Sequence, residues 1–229
     1  MLGTIVNALA IAVGGFIGFL VKGGLPEKMS QTIMQGVGLC VALIGLSGAL
    51  EGTEHIMPII FFIVIGTLIG EGVDIEKRLE TLGNRLEAKF SKGSQSTFSK
   101  GFVTASLLYC VGAMAIMGSL ESGLTGNHEI LFAKSILDGI ISVVLASTLG
   151  IGVVFSAVSV FIYQGSITLL AGMLSSVLTE TVILQMSATG GLLILGLGLS
   201  MILSVKVKVG NMLPSVLLPI GYYLILNLF

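Results

Sequence analysis

Apolar runs of membrane-spanning length recur along the whole chain, and they constrain its fold more than any other feature. A hydrocarbon core of roughly 30 Å needs about 20 residues of helix to cross it. About eight runs have a suitable length, at residues 2–21, 30–50, 56–72, 101–120, 130–148, 151–175, 187–205 and 213–228. The sequence therefore predicts an all-α, polytopic membrane protein of about eight transmembrane helices.

Composition supports this class and excludes others. The mean hydropathy is +1.06 and only 10% of the residues are charged, against about 25% in ordinary soluble domains. A net charge of −1 gives no reason to expect nucleic acid as a partner. Cys40 and Cys110 both lie in apolar runs, where a free thiol behaves as a small hydrophobe, so no disulfide framework is expected.

Basic residues predict how the chain is oriented. Ten of the eleven lie in loops that an eight-span chain places on one side, namely Lys22, Lys28, Lys77, Arg78, Arg85, Lys89, Lys92, Lys100, Lys206 and Lys208. Because cytoplasmic loops carry an excess of Lys and Arg, we expect this side to be cytoplasmic and both termini to lie outside. Gln164 and Gly165 interrupt the sixth run and leave open whether it crosses once or twice. Two crossings would move Lys206 and Lys208 outside, so the charge pattern favours one.

An internal repeat is the most informative pattern for function. Residues 25–47 align without a gap on residues 178–200, with identities that include Glu27/Glu180, Gly38/Gly191, Gly45/Gly198 and Ser47/Ser200. The span count makes the two copies cross the membrane in opposite directions, and inverted repeats are typical of secondary transporters. We predict a first repeat unit at 1–72, two central spans at 101–150 and a second unit at 151–229. Coincidence between two Gly/Leu-rich helices is the alternative.

The segment 73–100 stands apart from the spans because it is polar and amphipathic. Ile75, Leu79, Leu82, Leu86 and Phe90 form one helical stripe among charged residues. An amphipathic helix of this kind lies on cytoplasmic headgroups or pairs with its copy in a dimer. A polar linker at 91–100 follows it.

Polar side chains within the spans are the candidate binding residues. Lys134 and Asp138 stand four residues apart on one helix face, and Asp138 is expected near the midplane. Since ionisable groups in hydrocarbon usually face a bundle interior or a cavity, we predict a proton or cation site at Asp138 that Lys134 neutralises in one state. A permanent salt bridge that fixes packing is the alternative. Asn7, Gln164 and Asn211 are candidates for binding the same solute or ion, or for holding helices together.

Glu71 is a candidate gate, because it follows Gly66 and Gly70 near the cytoplasmic end of its span. The loop 121–129 contains His128 but no second histidine four residues later, so we expect no metal site there. No catalytic constellation or phosphate-binding loop occurs in the sequence. We therefore expect neither an enzyme nor a cofactor, and any transport to be driven by an ion gradient or to run downhill.

Several segments carry a family resemblance. They are NALAIAVGGFIG at 7–18, GTLIGEGVDIEK at 66–77, LTGNHEILFAKSILD at 124–138, LASTLGIGVVFS at 145–156 and NMLP at 211–214. With these segments, the chain resembles the YqgA/YdfK-like family of uncharacterised bacterial inner-membrane proteins, over essentially its whole length. The resemblance implies a multi-pass protein of the bacterial inner membrane and supplies no functional residues.

Taken together, the repeat and the buried polar residues favour a secondary transporter or channel. We expect alternating access around a midplane polar site for a small polar solute or ion, ion-coupled or passive, in a homodimer within the lipid bilayer. The alternative is a membrane scaffold or sensor that signals through the amphipathic helix, or an intramembrane enzyme on lipid-like substrates.

Overall fold

Helices account for nearly all of the protein that the structure describes. The computed structural model describes residues 1–22, 27–78, 81, 97–203 and 207–226, which contain no strand. The helices are α1 (Leu2–Lys22), α2 (Glu27–Glu51), α3 (Ile56–Val73), α4 (Thr97–Cys110), α5 (Ala113–Leu124), α6 (Glu129–Leu149), α7 (Gly152–Leu169), α8 (Ala171–Leu174), α9 (Glu180–Leu203), α10 (Val209–Met212) and α11 (Leu218–Leu226), with short 3₁₀ turns at Thr53–His55 and Leu213–Val216. The all-α prediction is confirmed.

The number of spans also agrees with the prediction. Within the described residues, seven helical segments are long and apolar enough to cross a membrane, and the bent pair α4–α5 makes an eighth. The sixth span is one uninterrupted helix through Gln164 and Gly165, as the charge pattern favoured. The interruption lies in the fourth span instead. There α4 and α5 meet at 59°, and Gly112 has a φ of 147°, which an L side chain rarely adopts.

Helices α2 and α9 pack along a seam of glycines. A Cβ added to Gly45 would meet the backbone nitrogen of Leu195, and one added to Gly198 would meet the backbone nitrogen of Ala42. The residue numbers rise along α2 as they fall along α9, so the two helices run antiparallel. Gly45 and Gly198 are also identity positions of the predicted internal repeat, and small residues at both positions let the two backbones approach closely.

Helix α1 lies between α6 and α7. It runs parallel to α6, because Gly14 approaches the carbonyl of Gly139 and Gly18 approaches that of Val143. It runs antiparallel to α7, since Gly15 packs on Val154 while Thr4 contacts Thr168 near the opposite ends of both helices. We call the two ends of the bundle the Glu129 end and the Leu149 end, after the first and last residues of α6.

Helix α3 packs against the broken last span. Gly70 approaches the carbonyl of Asn211, Gly66 approaches the backbone of Ser215, and the ring of Phe62 packs edge-on against Tyr222. These contacts make α3 antiparallel to the segment 209–226.

The predicted amphipathic helix falls largely outside the described residues. The chain turns at Asp74, which is in the left-handed conformation, and is helical again at 75–78. Leu79, Leu82, Leu86 and Phe90 are not among the described residues, nor is Lys206. The stripe therefore stays a prediction.

Candidate functional site

Four of the predicted site residues meet in one hydrogen-bonded cluster. Lys134 Nζ lies 2.9 Å from Oδ1 and 2.8 Å from Oδ2 of Asp138, one turn away on α6. Asn7 Nδ2 of α1 donates to Asp138 Oδ2 at 3.1 Å and to Gln164 Oε1 of α7 at 3.2 Å. We call Asn7, Lys134, Asp138 and Gln164 the central cluster.

The central cluster is closed off from its surroundings. Asn7 and Gln164 are 0% exposed, Asp138 is 4% exposed and Lys134 is 7% exposed. Asp138 follows Glu129 by nine residues, which places it about 13 Å along α6, close to the middle of that helix. The carboxylate thus faces the bundle interior, where it contacts Lys134 of its own helix and Asn7 of α1, and Asn7 links it to Gln164 of α7.

Two amide atoms in the central cluster have no hydrogen-bond partner. Both hydrogens of Asn7 Nδ2 are engaged, which leaves Asn7 Oδ1 and Gln164 Nε2 as a free acceptor and a free donor. Turning the Asn7 amide round would place its oxygen against the Asp138 carboxylate, where neither group can donate. Since unpaired buried polar atoms cost roughly 1–3 kcal/mol each, these two atoms mark a place where a polar ligand would be stabilised.

Hydroxyl pairs lie on both sides of the central cluster. Toward the Glu129 end, the Oγ1 atoms of Thr4 and Thr168 are 3.4 Å apart. Toward the Leu149 end, the hydroxyl of Tyr109 on α4 is 2.8 Å from Oγ of Ser142, which lies one turn beyond Asp138. We call the two hydroxyl pairs and the central cluster together the polar ladder.

The break in the fourth span adjoins the polar ladder. Tyr109, a member of the polar ladder, immediately precedes Cys110, the last residue of α4. Discontinuous spans with free backbone ends often surround substrate sites in transporters. Sequence reasoning placed a possible interruption in the sixth span and missed this one.

The remaining two predicted residues belong to a second cluster near the Leu149 end. Glu71 accepts hydrogen bonds from Lys208 Nζ and Asn211 Nδ2, both at 2.5 Å. Asn211 Oδ1 accepts from the backbone nitrogen of Glu76 at 2.7 Å, and Glu76 Oε2 accepts from that of Gly210 at 3.0 Å. The structure therefore places Asn211 with Glu71 and away from Asp138. We call Glu71, Glu76, Lys208 and Asn211 the latch.

The latch joins α3 to the start of the last span. The side chains of Lys208 and Glu71 are 56% and 52% exposed, so solvent reaches their ion pair. The hydrogen bond to Glu71 and the negative charge of its carboxylate raise the pKa of Lys208, which strengthens its hold on the proton. Because solvent screens both charges, an exposed pair of this kind adds little to stability.

The acidic loop next to α6 forms local bonds. Asn127 Nδ2 donates to Glu121 Oε1 at 2.9 Å, and Ser122 Oγ lies 2.9 Å from Nδ1 of His128. Among the residues that the structure describes, no group of three or more His, Cys, Asp and Glu side chains is arranged to hold a metal ion.

Sequence reasoning missed the hydroxyl pairs of the polar ladder. Thr4, Ser142 and Thr168 look like ordinary small residues of apolar helices, and Tyr109 looks like a core aromatic residue. The available signal was spacing, because Ser142 follows Asp138 by four residues and Thr168 follows Gln164 by four.

The chain is similar to proteins without an assigned function. Residues 2–224 match the family described as "Protein of unknown function (DUF554)". The "Uncharacterized membrane protein YdfK" of Bacillus subtilis (strain 168) is 37% identical over 225 residues, which cover 96% of this chain and 94% of the relative. The "Uncharacterized protein YqgA" of Escherichia coli (strain K12) is 30% identical over 222 residues, covering 95% and 94%. No solved structure matches the chain.

Proposed function

This chain belongs to the DUF554 family of membrane proteins of unknown function, and we propose that it is a secondary transporter, ion-coupled or passive. It moves a small polar solute or ion by alternating access around the central cluster. One observation carries the proposal. A charged pair and two amides from three helices meet at mid-span in a buried cluster that leaves a donor and an acceptor free.

The cost of the central cluster argues against a purely structural role. Ionisable groups at the centre of a bilayer cost about 2.5–3.5 kcal/mol each on insertion scales. A packed apolar substitute is often as stable as a buried ion pair, so stability alone gives little reason to keep one. The free atoms of Asn7 and Gln164 add to the cost. A ligand that forms hydrogen bonds with these two atoms in one state of a transport cycle would explain why the central cluster is present.

An inverted repeat supports alternating access. The aligned segments are offset by 153 residues, because residue 25 matches residue 178. The same offset separates Glu27, the first residue of α2, from Glu180, the first residue of α9. It also separates Ile56, which begins α3, from Val209, which begins α10. The pairs α1–α7, α2–α9 and α3–α10/α11 each run antiparallel. Units related in this way typically rock against each other around a site between them.

We further propose an orientation in the bacterial inner membrane. The Leu149 end is cytoplasmic, because Lys28, Lys100 and Lys208 lie at that end, and acidic residues such as Glu51 and Glu129 lie at the other. Both chain ends then lie outside. The latch then lies at the cytoplasmic end of the bundle. There Glu71 acts as a gate, because its contacts with Lys208 and Asn211 join the two repeat units when the cytoplasmic side is closed.

A homodimer completes the proposal. Only 22% of the residues in the spanning windows of α2 and of α3 are buried within one copy, a lower share than in the other five unbroken spans that the structure describes. A second copy packed on these helices would shelter part of their surface from lipid.

The central test measures charge movement by purified protein in liposomes. Solid-supported membrane currents are recorded after jumps in pH, NaCl, KCl and a panel of amino acids, dicarboxylates and sugars. We expect a current that Asp138→Asn abolishes. The matched control is Glu129→Gln, which removes a carboxylate from the same helix at its exposed start. If Asp138→Asn changes the stability of the protein and leaves its currents intact, a structural role of the central cluster, as in a scaffold or sensor, replaces transport at this site.

A second test asks which helices separate. Helix α1 approaches the α6 backbone at Gly14 and Gly18, whereas near the Glu129 end Thr4 and Thr168 join α1 to α7 through side chains. In a background without Cys40 and Cys110, a disulfide between cysteines at Thr4 and Thr168 should stop transport. One between Ala10 and Gly139, where the Cβ atoms would be 3.4 Å apart, should leave it intact. Transport that survives the first disulfide contradicts rocking between α1 and α7.

A further inference from the structure

An apolar groove opens between α3 and α11, in the half of the bundle nearer the Glu129 end. Its volume is about 630 Å³, and its walls include Pro58, Phe61, Phe62, Leu218, Gly221 and Tyr222. We call this space the α3–α11 groove. A Cβ added to Gly221 would meet no atom of the described residues within 4 Å. Toward the Leu149 end the same two spans are closed, because Gly70 approaches the carbonyl of Asn211 and Gly66 approaches the backbone of Ser215.

The seam between α2 and α9 is closed on both sides of its middle. A Cβ added to Gly198 would lie 2.8 Å from the carbonyl oxygen of Gly38, and one added to Gly45 would lie 2.7 Å from that of Gly191. The offset of 153 residues between the predicted repeats relates Gly38 to Gly191 and Gly45 to Gly198, so it exchanges these two contacts. The same close approach therefore occurs twice, once in each half of the seam.

Helix α3 and the last span follow the same offset but are closed on one side only. Their closed contact joins segment 66–70 to segment 211–215. The offset relates 66–70 to 219–223, and it relates 211–215 to 58–62. The α3–α11 groove lies between 58–62 and 219–223, so it occupies the place where a second copy of the closed contact would be.

We propose that the latch and the α3–α11 groove are the two alternative closures of this helix pair, so that the groove closes when the latch opens. This inference rests on the proposed transport function, and it assigns to the groove the role of a gate at the Glu129 end. In an inverted repeat, each unit can adopt the conformation that the other unit has. Exchanging the two conformations brings 58–62 against 219–223 and separates 66–70 from 211–215.

The break in the last span lies where this exchange needs a hinge. The 3₁₀ turn Leu213–Val216 separates α10 from α11 and has Pro214 near its start, and 3₁₀ stretches between helices often act as hinges. Helix α10 carries the Asn211 contact of the latch, and α11 forms one wall of the groove, so the turn lets the two parts move separately on α3. The described residues that line the groove have apolar side chains apart from Tyr222, so closing it buries little polar surface.

Filling the groove tests the inference through transport by the full-length protein. Gly221→Leu places a side chain in the space that must close. The matched control is Gly172→Leu, which adds the same side chain at a helical glycine where a Cβ also meets no described atom within 4 Å. We expect Gly221→Leu to abolish the liposome current and Gly172→Leu to keep it at the wild-type level. Thermal unfolding identifies loss of folded protein, and Gly221→Val replaces Gly221→Leu if the larger side chain prevents folding.

Distances between spin labels test the exchange without measuring transport. In the background without Cys40 and Cys110, labelled cysteine pairs are placed at the groove, at the middle and at the closed end of the two spans, namely Met57/Ile225, Val64/Leu217 and Ile69/Met212. Lys208→Glu opens the latch, because it sets two negative charges against each other at Glu71. We expect the groove distance to shorten, the closed-end distance to lengthen and the middle distance to stay unchanged. Lys100→Glu, a charge reversal at the same end outside the latch, should change none of them.

The outcomes distinguish failure of this inference from failure of the transport proposal. If wild type gives a current and Gly221→Leu gives the same current, or if Lys208→Glu leaves the groove distance unchanged, the groove is a fixed surface and the inference is wrong, while transport stands. Groove and closed-end distances that change in the same direction also contradict it. If the two distances change in opposite directions but wild type gives no current, the alternative closures stand and the transport function is wrong.

Discussion

Substitutions in the Lys134–Asp138 pair distinguish a structural role of the central cluster from a role in transport. Lys134 contacts both carboxylate oxygens, and Asn7 donates a third hydrogen bond to Asp138. Removing one member leaves a buried charge without its partner, which typically costs 3–5 kcal/mol. We therefore expect Lys134→Met and Asp138→Asn each to lower the free energy of unfolding by about that amount.

The double variant should be more stable than either single variant. In Lys134→Met/Asp138→Asn no charge remains, and the amide oxygen introduced at position 138 still accepts the hydrogen bond from Asn7. The remaining loss is the unpaired amide nitrogen at position 138, about 1–3 kcal/mol. Independent sites would instead give a double loss of about 6–10 kcal/mol, the sum of two broken ion pairs.

Stability and flux are then measured on the same preparations. Reversible unfolding in mixed micelles of mild detergent and dodecyl sulfate gives the free energies, and the liposome current gives the activity. Transport at the central cluster predicts a double variant that is folded and inactive. A double variant with wild-type currents would refute the assignment of the site, and additive losses of stability would refute the ion pair itself.

The glycine seam, the helix break and the latch each give one further prediction. Gly45→Ala forces α2 away from the backbone of α9 and should lower the free energy of unfolding by about 1–3 kcal/mol; Gly36→Ala on the same helix, where a Cβ meets no atom within 4 Å, should raise it by about 0.5–1 kcal/mol. Equal effects of the two in thermal unfolding would contradict the seam. Gly112→Ala imposes a Cβ on a residue with φ 147° and should cost about 1–3 kcal/mol; an unchanged unfolding midpoint would show that the break is not held by Gly112. Glu71→Gln should leave the unfolding midpoint nearly unchanged, because solvent screens its ion pair with Lys208, yet alter the rate of transport; unaltered currents would contradict its role as a gate.

The sequence predicts the central cluster because charge and amide groups are rare in apolar spans. Lys134 and Asp138 are conspicuous at a spacing of four residues, and the bilayer makes an unpaired charge costly enough that a partner must exist. Asn7 and Gln164 follow from the same reasoning. What the sequence does not specify is which amide meets which charge, since this depends on how α1, α6 and α7 are arranged around one another. For that reason the sequence predicts Asn211 in the same site as Asp138 because it is polar, whereas in the structure Asn211 donates a hydrogen bond to Glu71.

The broken fourth span illustrates a limit of a different kind. Glycine occurs throughout the apolar runs, and most glycines here serve close helix packing, so Gly112 carries no distinct signal. Gln164 and Gly165 look more disruptive, yet the Gln164 side chain accepts a hydrogen bond across helices and leaves the α7 backbone intact. The break lies opposite Gly190 of α9, where an added Cβ would overlap the side chain of Val111. This contact between α9 and the break is tertiary, so local sequence patterns do not predict where the fourth span bends.

In the proposed transport cycle, the position of the two charges relative to the predicted repeat keeps the Lys134–Asp138 ion pair within one unit. Helices α1 and α7 begin the two predicted repeat units and contribute only amides to the central cluster, Asn7 and Gln164. Both charges come from α6, which lies outside the predicted repeat and meets the α1 backbone at Gly14 and Gly18. If α6 moves with α1, the charges stay with one unit while the Gln164 amide moves with the other. Opening either side then breaks the Asn7–Gln164 contact but keeps Lys134 beside Asp138, so the acid has its counter-ion in both states. A charge divided between the two units would lose its partner at every crossing, at a cost of about 3–5 kcal/mol.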